Sequence, residues 1–135
     1  MSNRKISETT KNLIAAREVI KKPENWTISQ LARSRAGAGM SHDLQNAYSF
    51  CARGALLKVK GVMNADDNFY WVYSIIEEDM MLFRAINNVS QVKLDDLSGP
   101  YNPGGYNNSH SHENVLAMFD KAIALSIMED QKADA

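Results

Sequence analysis

Apolar residues recur every three or four positions over four long segments of this chain, and no other feature constrains the fold as much. Such spacing places the apolar side chains on one face of an α-helix. It predicts helices over about residues 7–21, 42–58, 66–87 and 112–128. The sequence therefore predicts a mainly α fold, a compact four-helix single domain over residues 1–135, with residues 1–6 and 129–135 frayed.

Local residue choices mark where these helices begin and end. Pro23 ends the first helix, because proline disfavours a helical conformation in the residue before it. The N-caps of the other three helices are predicted at Ser41, at Asp66 or Asp67, and at Ser111. Cys51 falls in the middle of the second helix on its apolar stripe. Gly54 lowers the helix propensity there, which predicts that another backbone packs closely against it.

Two irregular segments, residues 24–40 and 88–110, separate the predicted helices. The second segment contains Ser98-Gly99-Pro100 and Asn102-Pro103-Gly104-Gly105, which are typical of turns. We expect it to form a long loop before the last helix, packed over one end of the domain. Strand patterns are weak, and they predict at most a short strand at residues 26–28 or 89–94.

Composition and charge argue against several classes of function. The chain has 135 residues, a formal net charge of −1 and a pI near 6.3, which argues against broad electrostatic binding to nucleic acid. No apolar run approaches the roughly 20 residues of a membrane helix. The polar N-terminus lacks the apolar core of a signal peptide. A single cysteine cannot form an internal disulfide, so the sequence predicts a soluble protein of the reducing cytoplasm.

The side chains that could support catalysis are few. A cysteine nucleophile needs a histidine to form its thiolate, and often an amide or carboxylate to orient that histidine. Cys51, His110 or His112, and Asn107 or Asn108 supply these residue types. A cysteine within an apolar stripe, however, behaves as a small buried hydrophobe. We therefore favour a non-enzymatic role and keep a Cys/His-dependent hydrolase or transferase as the alternative.

A metal site is incomplete in the sequence. His110 and His112, with Asn108 or Glu113, supply two or three of the roughly four ligands that zinc requires. The residues that could complete the set are distant along the chain: His42, Asp95 and Asp96. We therefore predict no metal and no cofactor.

Arg33 and Arg35 form a short basic stretch that could contact a phosphate or an acidic partner. With one helix over residues 27–36 and another over 41–58, the region would faintly resemble a helix-turn-helix. The apolar second helix and the long turn between the two argue against this arrangement, so a DNA-binding regulator is the second alternative.

Trp71 and Tyr73, together with Trp26, are assigned to the core.

Three blocks carry a family resemblance over nearly the whole chain. They are Asn25-Trp26-Thr27 with Leu31-Ala32-Arg33 and Gly37, then Cys51-Ala52-Arg53-Gly54-Ala55-Leu56, and then Tyr106-Asn107-Asn108 with Ser111-His112-Glu113-Asn114-Val115 and Phe119-Asp120-Lys121-Ala122-Ile123. In this order they resemble a family of small helical proteins of unknown function from bacteria, phages and prophages. Asn108 and Ser34 stand where the family pattern has aspartate, and Ser111 replaces a threonine. The absence of those two carboxylates argues against a hydrolytic mechanism here.

The resemblance and the residues together predict an accessory protein, associated with a phage or prophage, that binds a protein or a small ligand. We expect its functional surface where residues 26–35, the turn at 51–54 and the segment 107–112 converge. The predicted contact residues are Trp26, Arg33, Arg35, Arg53, Tyr106, Asn107, Asn108 and His112. The sequence specifies neither the partner nor the oligomeric state.

Overall fold

A computed structural model describes residues 6–63 and 70–133 of the chain. These residues form five α-helices: α1 (Glu8–Val19), α2 (Ala52–Val59), α3 (Ile76–Asn87), α4 (Pro103–Ser109) and α5 (His112–Ala133). They also form three short strands, β1 (Ala32–Ser34), β2 (Gly39–Met40) and β3 (Ala47–Phe50), and 3₁₀ helices at Pro23–Asn25, Tyr70–Ile75 and Leu94–Leu97. The mainly α prediction is confirmed, whereas the four-helix arrangement omitted α4 and the sheet.

The first helix begins close to its predicted start, and the last begins at its predicted capping residue, Ser111. The hydroxyl of Ser7 accepts a hydrogen bond from the backbone N–H of Thr10 at 3.2 Å, which caps α1. The hydroxyl of Ser111 accepts one from the N–H of Asn114 at 3.1 Å, at the start of α5. Helix α5 continues to Ala133, so the predicted end at residue 128 is too early.

The second predicted helix, over residues 42–58, is wrong in its first half. Residues 42–46 form turns, with backbone hydrogen bonds from Leu44 N–H to the Ser41 carbonyl and from Ala47 N–H to the Leu44 carbonyl. Strand β3 follows, and α2 begins only after Cys51. The apolar spacing of this region suited a helix, but pairing with the distant strand β1 favours the extended conformation over Ala47–Phe50.

The sheet is antiparallel, with strand order β2-β1-β3. Ala32 on β1 lies opposite Met40 on β2 and opposite Phe50 on β3. Trp26 forms an isolated bridge with Phe50, so the segment before β1 runs along the outer edge of β3. The helix over residues 27–36 that a helix-turn-helix would require is therefore absent, because β1 occupies part of this segment.

The third predicted helix is α3, preceded by the 3₁₀ helix Tyr70–Ile75. Its expected caps, Asp66 or Asp67, lie outside the described residues. The predicted long loop over residues 88–110 is wrong, because it contains a 3₁₀ helix and α4. Asn102 caps α4 by accepting a hydrogen bond from Gly105 N–H at 2.8 Å. Pro103 occupies the first turn, where the lack of a backbone N–H costs no hydrogen bond within the helix.

Helices α1, α2, α3 and α5 pack around one apolar core. The largest fully buried apolar side chains in it are Leu13, Ile20, Leu56, Leu57, Ile75, Leu82, Val115 and Phe119. Helix α4 covers the N-terminal end of α2 and thereby positions the site described below. Across residues 6–63 and 70–133, the helices are all too short or too polar to cross a lipid bilayer.

Candidate functional site

The side chain of Asn107, on α4, joins three segments that are distant in sequence. Its Oδ1 accepts hydrogen bonds from Trp26 Nε1 at 2.8 Å and from the backbone N–H of Ala52 at 3.0 Å. Its Nδ2 donates to the carbonyl of Thr27 at 3.0 Å. Asn107 is fully buried, so these bonds replace its contacts with water. The expected convergence of the three segments is found, with Asn107 at its centre.

Asn108, the next residue, faces outward beside the same segment. Its Oδ1 accepts a hydrogen bond from the backbone N–H of Ser29 at 2.8 Å. Ser29 has a left-handed backbone, with φ of +66°, which is uncommon for a residue other than glycine. The bond from Asn108 therefore helps to hold a strained turn. Because its oxygen accepts this bond, the amide nitrogen of Asn108 remains available as a donor.

Cys51 lies at the N-cap of α2, not in the middle of a helix as predicted. Its Sγ accepts a hydrogen bond from Gly54 N–H at 3.3 Å, and the side chain is 8% exposed. Burial raises the pKa of the Cys51 thiol, although the N–H groups of Gly54 and Arg53 and the charge of Arg53 oppose this shift. The thiol therefore stays protonated near neutral pH.

The predicted close packing at Gly54 is confirmed. A Cβ at this position would lie 1.9 Å from the carbonyl oxygen of Leu31. The same carbonyl accepts a hydrogen bond from Cys51 N–H at 3.3 Å. Glycine at residue 54 thus lets the start of α2 rest directly on the backbone that precedes β1.

Arg53 is fixed by a buried carboxylate on α3. Its Nε lies 3.2 Å from both carboxylate oxygens of Asp79, and its Nη2 lies 2.8 Å from Oδ2. Nη2 also donates to the carbonyl of Leu97 at 2.8 Å. Asp79 is completely buried; burial raises the pKa of its carboxyl group, and the Arg53 guanidinium opposes that shift. This arrangement leaves Nη1 of Arg53 without a hydrogen bond to any described residue.

A cavity of about 260 Å³ lies where these segments meet. The residues that line it include Gln30, Leu31, Cys51, Arg53, Trp71 and Asn108. The guanidinium carbon of Arg53 lies 5.8 Å from the centre of the Trp71 ring. Leu31 and Trp71 give the cavity apolar walls, while Arg53, Asn108 and Cys51 bring polar groups to it.

The two candidate histidines are bonded away from Cys51. His112 Nε2 donates to the carbonyl of Ile20 at 2.6 Å, and its ring lies 5.4 Å from that of Trp26. His110 stacks on Tyr106 at 3.7 Å between ring centres, and its Nδ1 lies 3.0 Å from the hydroxyl of Ser109. Among the described residues, neither histidine forms a hydrogen bond with the thiol. The structure therefore provides no Cys–His pair at this site.

Arg33 and Arg35 lie apart from the cavity. Arg33 Nε donates to the hydroxyl of Thr27 at 2.9 Å, and its two other nitrogens donate to the carbonyls of Gly37 and Ile28. Arg35 lies over the ring of Tyr48, 4.6 Å from its centre. Arg33 therefore holds the turn before β2, and Arg35 packs beside β3.

Sequence reasoning missed three residues of this site: Asp79, Trp71 and Gly104. Asp79 follows Glu78 in the first turn of α3, where acidic residues usually face solvent. Both carboxylates are nevertheless buried, Asp79 paired with Arg53 on α2 and Glu78 with Lys60 at the C-cap of α2. Arg53 and Lys60 are seven residues apart, a spacing that places both cations on the same side of α2 and its C-cap. This spacing was the sequence feature that could have indicated acidic partners on a neighbouring helix. Trp71 had been assigned to the core, so it was not considered as part of a binding site. Tyr73 had been assigned to the core as well, but it is 56% exposed, so that assignment is wrong for Tyr73.

Metal coordination finds no support in this part of the molecule. Across residues 6–63 and 70–133, no group of three or more histidine, cysteine, aspartate or glutamate side chains is arranged to hold an ion. The histidines at 110 and 112 take part instead in the ring and carbonyl contacts above.

Comparison with known proteins identifies a family but no characterised relative. No curated protein and no solved structure matches the chain significantly. A model of a family of unknown function, DUF6197, matches residues 6–125. These residues include α1 to α4, the sheet and most of α5, and therefore the whole candidate site. The chain belongs to the family of unknown function DUF6197.

Proposed function

We propose that this protein acts by binding, and that the cavity beside Arg53 takes a carboxylate group. The observation that carries this proposal is a group of three hydrogen-bond donors that have no acceptor among the residues the structure describes. Arg53 Nη1, the amide nitrogen of Asn108 and the protonated thiol of Cys51 are all hydrogen-bond donors. Three donors at one place favour a ligand that offers hydrogen-bond acceptors. The dipole at the N-terminal end of α2 also favours a negatively charged ligand group.

The walls of the cavity narrow the class of ligand. Leu31 and Trp71 offer apolar and aromatic surface next to the guanidinium of Arg53. The volume of about 260 Å³ is below the roughly 300–1,000 Å³ that is usual for drug-sized ligands. We therefore expect a small carboxylate with an apolar body, either free or at the end of a partner molecule. Arg53 and Asn108 would contact it, whereas Asn107 and Trp26 would act by positioning the segments.

Two neighbouring glycines of α4 provide a matched test. A Cβ on Gly104 would lie 2.9 Å from Arg53 Nη1, whereas one on Gly105 would meet only Asn102 Oδ1, at 3.7 Å. Titration calorimetry with benzoate should give weaker binding for Gly104→Ala, by roughly tenfold, because the methyl group displaces or covers the donor. Gly105→Ala should bind like the unaltered protein. Equal binding by the two variants, or equal binding of benzyl alcohol and benzoate, would contradict the proposal.

A thiol-dependent enzyme is the second candidate, because Cys51 lies at a helix N-terminus, beside Arg53, and lines the cavity. The raised pKa and the absence of a bonded histidine in the described chain oppose it. We expect iodoacetamide at pH 7.5 to alkylate Cys51 in the folded protein at least about 100-fold more slowly than in urea, with a pH midpoint above the ordinary value of about 8.5. Fast alkylation with a midpoint below that value would instead support the enzyme.

The biological setting is also a proposal. The resemblance of the three sequence blocks supports an accessory protein of bacterial origin, associated with a phage or prophage. The single cysteine supports a reducing cytoplasm. If the association with a prophage is correct, the transcript should rise when prophages of the source strain are induced. An unchanged transcript would contradict it.

A further inference from the structure

A second and larger cavity, of about 420 Å³, lies between the start of α1, one face of α3 and the C-terminal part of α5. Glu77, Met80, Met81 and Arg84 line it from α3, at spacings that place them on one face of that helix. Glu129 and Asp130 line it from α5. Glu77 precedes Arg84 by about two helical turns, so the two methionines form a floor between charged ends.

The charges that the described residues bring to this cavity are unbalanced. Arg84 Nη1 pairs with Glu129 Oε2 at 3.0 Å, which neutralises both groups. Asp130 Oδ2 accepts hydrogen bonds from the Thr10 hydroxyl at 2.7 Å and from Ser7 N–H at 3.1 Å, but neither donor carries a positive charge. Glu77 is exposed and has no ion pair among the described residues. Within residues 6–63 and 70–133, the carboxylates of Glu77 and Asp130 therefore remain without a cation.

Asp130 stays ionised at neutral pH. Partial burial opposes its charge, but the hydrogen bonds from Thr10 and Ser7 outweigh this effect and hold the pKa of Asp130 below its usual value. Its second oxygen, Oδ1, accepts no hydrogen bond from the described residues and can bind a ligand. Lys132, also on α5, lies 4.0 Å from Glu129, which is already paired with Arg84.

The floor of the cavity is apolar and adaptable. Met81 is 8% exposed, and its sulfur lies 3.6 Å from Arg84 Nη1. Met80 is next to it, and Val92 lines the same cavity from the segment after α3. Methionine side chains pack well against flexible hydrocarbon chains. A ligand that suits both the floor and the charge would therefore have an aliphatic body and positive ends.

We propose that this cavity binds an aliphatic diamine. One ammonium group would lie at Glu77, the other at Asp130 Oδ1, and the methylene chain would cover Met80 and Met81. Charge complementarity carries the choice of ligand: the described lining of the cavity has three carboxylates and one guanidinium, and the guanidinium is already paired with one of them. The site is separate from the cavity beside Arg53, so this inference does not depend on the proposed carboxylate binding.

The test is titration calorimetry with 1,4-diaminobutane at low ionic strength. Glu77→Gln removes an exposed charge that has no described partner, so the fold should be unchanged, and binding should weaken about two- to fivefold. Asp130→Asn together with Glu77→Gln should weaken it roughly tenfold or more. Glu113→Gln, an exposed acidic residue in the first turn of α5 away from the cavity, is the matched control and should bind normally.

Several outcomes would overturn the inference. Equal binding of 1,4-butanediol would show that charge is not recognised, and equal binding of 1-aminobutane would show that one ammonium group suffices. Unchanged affinity in the Glu77→Gln and Asp130→Asn double variant would place the diamine elsewhere. Gly104→Ala should leave diamine binding intact, so failure of one proposal can be told from failure of the other.

Discussion

Replacing Asn107 with alanine is expected to lower the free energy of unfolding by about 3–5 kcal/mol. The substitution leaves three groups without their partner: Trp26 Nε1, the N–H of Ala52 and the carbonyl of Thr27. Each buried polar group that loses its only partner costs roughly 1–3 kcal/mol. Urea denaturation monitored by circular dichroism measures the change, and Asn107→Ala should unfold at a clearly lower urea concentration.

Asn108→Ala is the matched control, since it removes the same side chain one position later. Asn108 is exposed, and its one hydrogen bond within the described part of the chain is to Ser29 N–H, so we expect a loss of at most about 1 kcal/mol in the free energy of unfolding. The fold should survive, while benzoate binding weakens because one donor is lost. Similar destabilisation by the two variants would contradict the central position of Asn107.

Asp79→Ala is expected to lower the free energy of unfolding by about 3–5 kcal/mol, because it leaves the largely buried guanidinium of Arg53 without its counter-charge. The Arg53 side chain is only 13% exposed, so water replaces little of the lost interaction. Thermal and urea unfolding should both report the loss. Benzoate binding should also weaken, because Arg53 would no longer be held in place beside Gly104.

Asp120→Ala provides the comparison on the surface. Asp120 lies 2.7 Å from Arg17 Nε but is 59% exposed, so its removal should cost no more than about 1 kcal/mol. A double variant, Arg53→Met with Asp79→Leu, should be more stable than Asp79→Ala, since no buried charge is left unpaired. If Asp79→Ala and Asp120→Ala cost the same, the Arg53–Asp79 pair does not stabilise this region as described.

The parts of the fold that sequence predicted are those set by nearby residues. Ser111 caps α5 with its own hydroxyl group, as predicted, and Pro23 begins a separate 3₁₀ helix after the end of α1. Gly54 was recognised as a point of close approach because glycine is costly within a helix unless space demands it. These signals act over a few residues and can be read without knowing the rest of the fold.

The errors arose where distant residues decide the conformation. Residues 44–51 have apolar spacing that suits a helix, but β3 pairs with β1, more than ten residues earlier in the chain. The short helix α4 was taken for a loop because Asn102-Pro103-Gly104-Gly105 resembles a turn. The same Asn and Pro also suit the N-cap and first turn of a helix, and local sequence did not distinguish these uses.

The convergence of the segments around Asn107 was predictable from the sequence, but their detailed contacts were not. The sequence placed Cys51, Asn107 and Asn108 on converging segments, and the structure brings those segments together. It could not show that Asn107 is buried and fully bonded, because its partners Trp26 and Thr27 lie some 80 residues away. Asp79 was missed for a similar reason: its pairing with Arg53 depends on how α2 and α3 pack.

The most direct test of the proposed binding site is a crystal structure of the protein soaked or co-crystallised with benzoate. We predict that the benzoate carboxylate lies within about 2.7–3.2 Å of Arg53 Nη1, with its ring against Trp71 and Leu31. Arg53 should keep its contacts with Asp79 and Leu97 in that complex. An empty cavity beside Arg53, or benzoate bound only elsewhere on the surface, would contradict the account.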